Sequence, residues 1–233
     1  MGADEAQRGV PVAGALLVLL VHLTLAPLAA FVLLQPLVSN FLDDGDVPLR
    51  GAVRGLISSV AGLLTLGALW LVARRWPAPR HALALVRGRL TWWVAAPAVL
   101  GLAVVSDVVS ALAGRPMVPT QFVPYFSGWA DTVLMSVAVV LVGPVVEELV
   151  YRGALYGAVE TRSSAHAALL VTTAVFAVAH IGTYGGDLVA LGQVAALGGL
   201  LTWLRFVSGS LVPSVVGHVV ANAYATALLL LTR

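Results

Sequence analysis

The sequence has no cysteine and no lysine, and only 10% of its 233 residues are charged. Without cysteine there is no disulfide framework, no thiol nucleophile and no thiolate metal site. All 13 basic residues are arginine, so the formal charge of +2 rests on guanidinium groups, which suit phosphates and carboxylates and anchor helices at lipid headgroups. Soluble domains carry about 25% charged residues. A chain that is 60% hydrophobic, with a mean hydropathy of +0.97, lacks the charge to cover a soluble surface. The composition predicts a polar N-terminal tail over residues 1–10 and a single membrane-embedded helical domain over 11–233. The expected environment is a lipid bilayer, and no nucleic-acid partner is expected.

What the chain does have is long apolar runs. A membrane-crossing helix needs roughly 20 mostly apolar residues, and seven such stretches can be marked at about 11–39, 55–73, 90–112, 132–158, 165–181, 187–206 and 211–231. The first is long enough to break near Pro27 or Pro36, so the expected fold is an all-α polytopic bundle of seven or eight membrane helices. The opening MGADEAQRGV precedes a run far longer than the ~7–15 residues of a signal-peptide core, and Ala6 fails the myristoylation pattern. The first run therefore reads as a retained span. Orientation follows from arginine. Residues 73–89 carry five arginines and no acid, whereas DDGDVPLRGAVR at 43–54 mixes three aspartates with two arginines. The Arg-rich loop at 73–89 is expected in the cytoplasm, with the N-terminus and the end of the fourth stretch, where Glu147 and Glu148 stand, on the same side. Trp76, Trp92 and Trp93 flank that loop as an interfacial belt would.

Ionisable groups within a span cost on the order of 3 kcal/mol or more, so they face the bundle interior and mark function. The residues to explain are Asp107, Glu147, Glu148, Arg152, His180, His218 and Asn222, with His22 and Gln193 more weakly. In GPVVEELVYRG, Glu148 and Arg152 stand four apart and share a helix face, while Glu147 is rotated about 100° away. The paired carboxylate reads as structural. The other, less neutralised, suits a general base. His218 and Asn222 also stand four apart, on one face of the last stretch. His180 closes FAVAH, one turn after Phe176. A straight fifth span would carry His180 to the side away from the glutamates, so convergence requires irregular geometry around HIGTYGGD, where three glycines allow it.

These residues, as EExxxR, FxxxH and HxxxN in that order, resemble the CPBP family of CAAX proteases and bacteriocin-processing enzymes, intramembrane endopeptidases related to the Ras-converting CAAX endopeptidase. The resemblance covers about residues 130–230, the motif-bearing core. It implies a helical bundle with a recessed polar cavity open toward the cytoplasm. It implies Glu147 as the base that activates water, assisted by His180, with His218 and Asn222 stabilising the oxyanion. Glu148, Arg152 and Phe176 would support the site's shape and electrostatics. The implied substrate is a peptide or lipidated, CAAX-like protein held at the membrane.

Glu147, His180 and His218 also match the ligand set of some catalytic zinc sites, so zinc or another divalent metal is chemically admissible. No HExxH is present, and a cofactor-free mechanism is the favoured expectation. The alternatives are a proton-coupled transporter with Glu147 and His180 as a relay, or a catalytically silent immunity or scaffold protein. The internal repeats of many transporters are not visible. The expected location is a prokaryotic plasma membrane, with the N-terminus and the active-site opening both cytoplasmic. Asp107 has no assigned role; it reads first as a helix-end residue facing outside, and otherwise as a group supporting the site from behind the motif residues.

Overall fold

Apolar runs in lipid have no water to bond, so each segment satisfies its own backbone N–H and C=O groups as a helix. The computed structural model describes residues 10–42, 51–76, 78–89, 92–117 and 120–232, and no strand occurs among them. Seven helices are long and apolar enough to cross a membrane: α1 (Val12–Leu33), α2 (Gly51–Ala73), α3 (Trp93–Leu112), α4 (Trp129–Glu160), α5 (Ala165–Tyr184), α6 (Leu188–Ser208) and α7 (Val212–Thr232). The first stretch does not divide at Pro27. A π-helical segment, Val21–Leu25, precedes that proline, and the chain turns at Leu34 before a short helix, Gln35–Leu42. Residues 1–9 of the polar tail, the aspartates at 43, 44 and 46, Arg50, Arg233 and the side chain of Trp92 lie outside the described residues.

The lipid-facing and core surfaces separate by side-chain size. Leu28, Leu63, Trp70, Leu170 and Val178 are each more than 60% exposed, as a bilayer-facing surface requires, while Ala30, Ala95, Ala154 and Ala168 are fully buried. Small residues at the contacts let helices approach closely where apolar solvent provides no drive to associate. Trp76 departs from the belt expected of it. It is 6% exposed and packs among Val18, Leu69, Val146 and Val150, because the chain after α2 folds back over the ends of α1 and α4. Trp93 is 61% exposed at the start of α3, where a belt residue belongs.

Successive helices alternate in direction and define two faces. On one, the Arg-rich loop is tied to the α6–α7 turn by Arg89 N–H to Ser208 O (2.8 Å), Leu211 N–H to Ala84 O (2.9 Å) and Ser210 Oγ to Val86 O (2.7 Å). Val10 shares this face, in the core cluster with Ala82 and Ala158. On the other, Asp131 of α4 accepts a hydrogen bond from Ala52 N–H at the start of α2 (2.7 Å), and Arg115 after α3 pairs with Asp187 before α6.

Candidate active site

α4 has 32 residues, about 48 Å at 1.5 Å per residue, against a hydrocarbon core of about 30 Å. Its length places Glu147 and Glu148 mid-helix and not at the helix end expected of them. Glu147 stands thirteen residues before Glu160, and His180 stands fifteen after Ala165, so both lie about 20 Å below the same face. The depth conflict posed by a straight fifth span is removed by the length of the fourth. Irregular geometry is nevertheless present: α5 is interrupted at His180 (φ −91°, ψ −3°), resumes as Ile181–Tyr184, and ends at Gly185 and Gly186, both at positive φ.

The motif Gly143–Glu148 lies between two π-helical segments, Val137–Val142 and Leu149–Leu155. Such segments loosen the backbone ladder and recur at functional sites. Here the carbonyl of Val139, in the first, accepts the Asn222 side-chain amide at 2.7 Å.

Glu148 and Arg152 are fully buried and paired at 2.8 Å. His218, 5% exposed, donates Nδ1–H to the same carboxylate oxygen at 2.8 Å. The carboxylate can only accept, which fixes the His218 tautomer and directs its Nε2 to Glu147 Oε2 at 3.9 Å. Arg152 also donates Nε–H to Thr202 Oγ1 (3.1 Å) and an Nη2–H to Gly198 O (3.0 Å). The two glutamates therefore differ sharply. Glu148 is neutralised by a guanidinium through Oε1, while Glu147 keeps a side-chain exposure of 24% and has no guanidinium partner; Oε2 of each lacks a hydrogen-bond partner among the described residues, that of Glu147 facing His218.

Phe176 explains why the second motif needs an aromatic ring. The guanidinium of Arg152 lies 4.3 Å from its centroid, Tyr151 meets it edge-on at 5.3 Å, and His180 and His218 lie at 4.5 and 6.0 Å. One ring thus sets the positions of three motif side chains. The packing leaves no room at Gly198, where a Cβ would fall 2.8 Å from Phe176 Cδ1. His180 hydrogen-bonds the Phe176 carbonyl through Nδ1 at 2.8 Å. A carbonyl only accepts, so Nδ1 carries the proton and Nε2 is left as an acceptor.

Glu147, Glu148, Arg152, Phe176, His180, His218 and Asn222 are thus gathered from α4, α5 and α7. The sequence reading missed Gly198 and Thr202 of α6, which complete the Arg152 cradle, and Tyr151 and Tyr184, which flank Phe176 and His180. No periodicity marks a glycine that serves a guanidinium on another helix. His22, a weaker candidate, contacts Tyr151 at 5.8 Å and lies within electrostatic reach of Glu147 and His180.

The metal alternative requires Glu147, His180 and His218 to converge on one point. Among the described residues no three His, Cys, Asp or Glu side chains are arranged to hold an ion. His218 Nδ1 is engaged by Glu148 and His180 Nδ1 by a carbonyl, leaving one nitrogen on each. One free nitrogen on each ring is also the form in which a histidine ligates zinc, so the donor types are those of a metal site while their arrangement among the described residues is not.

Two adjoining cavities lie beside the cluster. One, of about 190 Å³, is lined by Asn222, Asp107, Tyr224 and apolar residues of α3, α6 and α7; the other, of about 310 Å³, is lined by Arg115, Gln121, Ser110 and Asp187. Tyr184 and Gln193 line both. Asp107 is not a helix-end residue facing outside: within α3, it accepts a hydrogen bond from the Tyr224 hydroxyl of α7 on the cavity wall. Both cavities lie toward the face of Arg115 and Asp187, opposite Val10 and the Arg-rich loop.

Residues 129–224 match the family model Rce1-like, described as Type II CAAX prenyl endopeptidase Rce1-like. No curated protein and no solved structure matches. The matched segment runs from the start of α4 into α7 and contains every motif residue named above. Residues 129–224 are therefore similar to Rce1-like type II CAAX prenyl endopeptidases, consistent with the CPBP resemblance and with a hydrolase.

Proposed function

We propose that the protein is an intramembrane endopeptidase that hydrolyses a peptide bond in a membrane-associated or lipidated, CAAX-like substrate with water activated by Glu147. The observation that carries this is the asymmetry of the glutamates. Glu148 is held by Arg152 and His218, while Glu147 Oε2 is partnerless and faces His218 Nε2 across 3.9 Å, a gap suited to a bridging oxygen. Glu147 removes a proton from water, and the water oxygen adds to the peptide carbonyl carbon. The tetrahedral oxyanion is met by the Asn222 amide and by His218 in its doubly protonated form, whose Nδ1–H stays on Glu148 while its Nε2–H donates to the oxyanion. His180 helps hold the water, and the proton on Glu147 passes to the amine nitrogen as the C–N bond breaks. No step requires a metal.

The test is cleavage of a fluorogenic farnesylated CAAX peptide by detergent-purified protein. Glu147→Gln is expected to lower kcat about a thousandfold, the scale of losing a general base, with its elution profile unchanged and with strong chelators having no effect on wild type. Full activity in the variant sinks the glutamate mechanism, and chelator-sensitive turnover restores the metal.

We further propose that the Arg-rich loop is cytoplasmic, supported by its five arginines. Because the chain has no cysteine, single-cysteine labelling reads this cleanly. Arg80→Cys is expected to react with an impermeant maleimide only when the cytoplasmic side is open, and Ala113→Cys only from the opposite side. The reverse pattern inverts the protein and puts the cavities on the cytoplasmic side, where prenylated proteins reside.

A further inference from the structure

We propose that the cavity walled by Arg115, Gln121, Tyr184 and Gln193 receives the free C-terminal carboxylate of the peptide substrate, with Arg115 as its counter-ion. The proposal rests on the endopeptidase reading and deepens it. The two cavities share wall residues, Tyr184 and Gln193 among them, and Asn222 is the motif residue that reaches their lining. Asn222 lines the inner one, Arg115 the outer one, and Tyr184, within 6.5 Å of the His180 ring, lines both.

Arg115 is held there by the chain around it. α3 ends with Gly114 in the left-handed region (φ +67°), the Gly114 N–H bonds Ala111 O at 3.0 Å, and the Arg115 N–H bonds Ser110 O at 2.9 Å. This paired closure requires glycine at the turn and folds Arg115 back beside Ser110 on the cavity wall. Asp187 holds the guanidinium from the other side, being itself fixed by the N–H groups of Val189 and Ala190 at 3.0 and 3.1 Å. It engages Nη1 alone, and a guanidinium carries five N–H donors, so a second carboxylate can bind beside the first.

Length agrees as well. Asp107, paired with Tyr224 two residues past Asn222, lies three residues before Ser110, so Arg115, folded back beside Ser110, sits about 8 Å beyond Asn222 along the bundle axis. An extended peptide advances about 3.3 Å per residue, so about two to three residues span the distance from Asn222 to Arg115. The inner cavity, with Val99, Leu102, Val194 and Leu197 on its wall, gives those residues an apolar passage. A lipid headgroup phosphate would satisfy the same arginine, but the shared wall and its Asn222 lining favour a ligand that also reaches the cluster.

The experiment compares two fluorescent farnesylated CAAX peptides, identical except for a C-terminal acid or carboxamide. It measures equilibrium binding to the Glu147→Gln protein and turnover by wild type. The acid is expected to bind about tenfold tighter, the scale of a charge-assisted hydrogen bond. Arg115→Gln is expected to reduce the acid-to-amide ratio to about one, and Arg115→Lys to leave an intermediate ratio, which separates lost charge from lost fold. Equal binding of acid and amide, an undiminished ratio in Arg115→Gln, or no binding of either peptide overturns the proposal. Carboxylate-dependent binding without cleavage by wild type upholds the subsite and removes the endopeptidase reading instead.

Discussion

The molecule holds two arginine–carboxylate pairs built to opposite specifications. Arg152 and Glu148, at the centre of the bundle, have side-chain exposures of 0%, and the guanidinium meets a carboxylate, a hydroxyl, a carbonyl and an aromatic face. Arg115 and Asp187, at the cavity rim, are 41% and 36% exposed, and one guanidinium nitrogen reaches the carboxylate. A sealed pair with its donors directed can only keep its arrangement. A rim pair with donors to spare can exchange or share partners. The difference separates a group that sets the shape of the site from one that can meet a ligand, although both are the same two chemistries.

Breaking the sealed pair is expected to have the largest effect on stability. Arg152→Leu leaves Glu148 buried against His218 alone, and removing one partner of a buried pair costs about 3 to 5 kcal/mol. Thermal unfolding in detergent is expected to fall sharply for the single variant. The double variant Arg152→Leu with Glu148→Leu is expected to recover part of that stability while staying inactive, because His218 loses the carboxylate that orients it. A single variant as stable as wild type removes the structural role assigned to the pair. Arg115→Gln, by contrast, is expected to leave the unfolding temperature within a degree or two of wild type, as exposed pairs contribute about 0 to 1 kcal/mol.

A smaller perturbation tests how tightly the sealed region is packed. Gly198→Ala introduces a methyl group 2.8 Å from Phe176 Cδ1 and 3.5 Å from Arg152 Nη2. Overpacking of this kind costs about 1 to 3 kcal/mol. Gly192→Ala on the same helix meets no atom within 4 Å and is expected to be neutral or slightly stabilising. Equal unfolding temperatures for the two variants would show that the Phe176 contact is looser than drawn.

The sealed region was the more legible of the two in the sequence. Glu148 and Arg152 at four residues' spacing, and an apolar run around them, dictate pairing on one face, and Phe176 before His180 shares a turn. Seven apolar runs likewise gave the seven spans to within a few residues at most ends. Legibility ended where geometry depends on length and on other helices. The run at 132–158 looked like an ordinary span, so its glutamates were assigned to a helix end, whereas α4 extends to Glu160 and carries them mid-helix. Gly198 and Thr202 serve Arg152 from another helix, and Asp107 meets Tyr224 more than a hundred residues away. No local pattern encodes such contacts. Arg115 matches no motif and no periodicity, since a cavity is a property of several helices and not of one.

The rim pair makes one further, finer prediction, on pH. The Arg115 guanidinium holds Asp187 below its ordinary value of 3.8, with the Ala190 and Val189 N–H groups acting in the same direction. A depressed carboxylate contributes its interaction above the unfolded value and loses it only as pH falls through the lower folded value. The pair is therefore intact from pH 5.5 to 8, and a peptide α-carboxylate, with a pKa of about 3.5, is ionised over the same range. The acid-to-amide binding ratio measured on Glu147→Gln protein is expected to stay flat across that window. A ratio that grew as pH fell would mean that a group other than Arg115 supplies the charge that meets the carboxylate, and the contrast between the two arginines would narrow to one of burial alone.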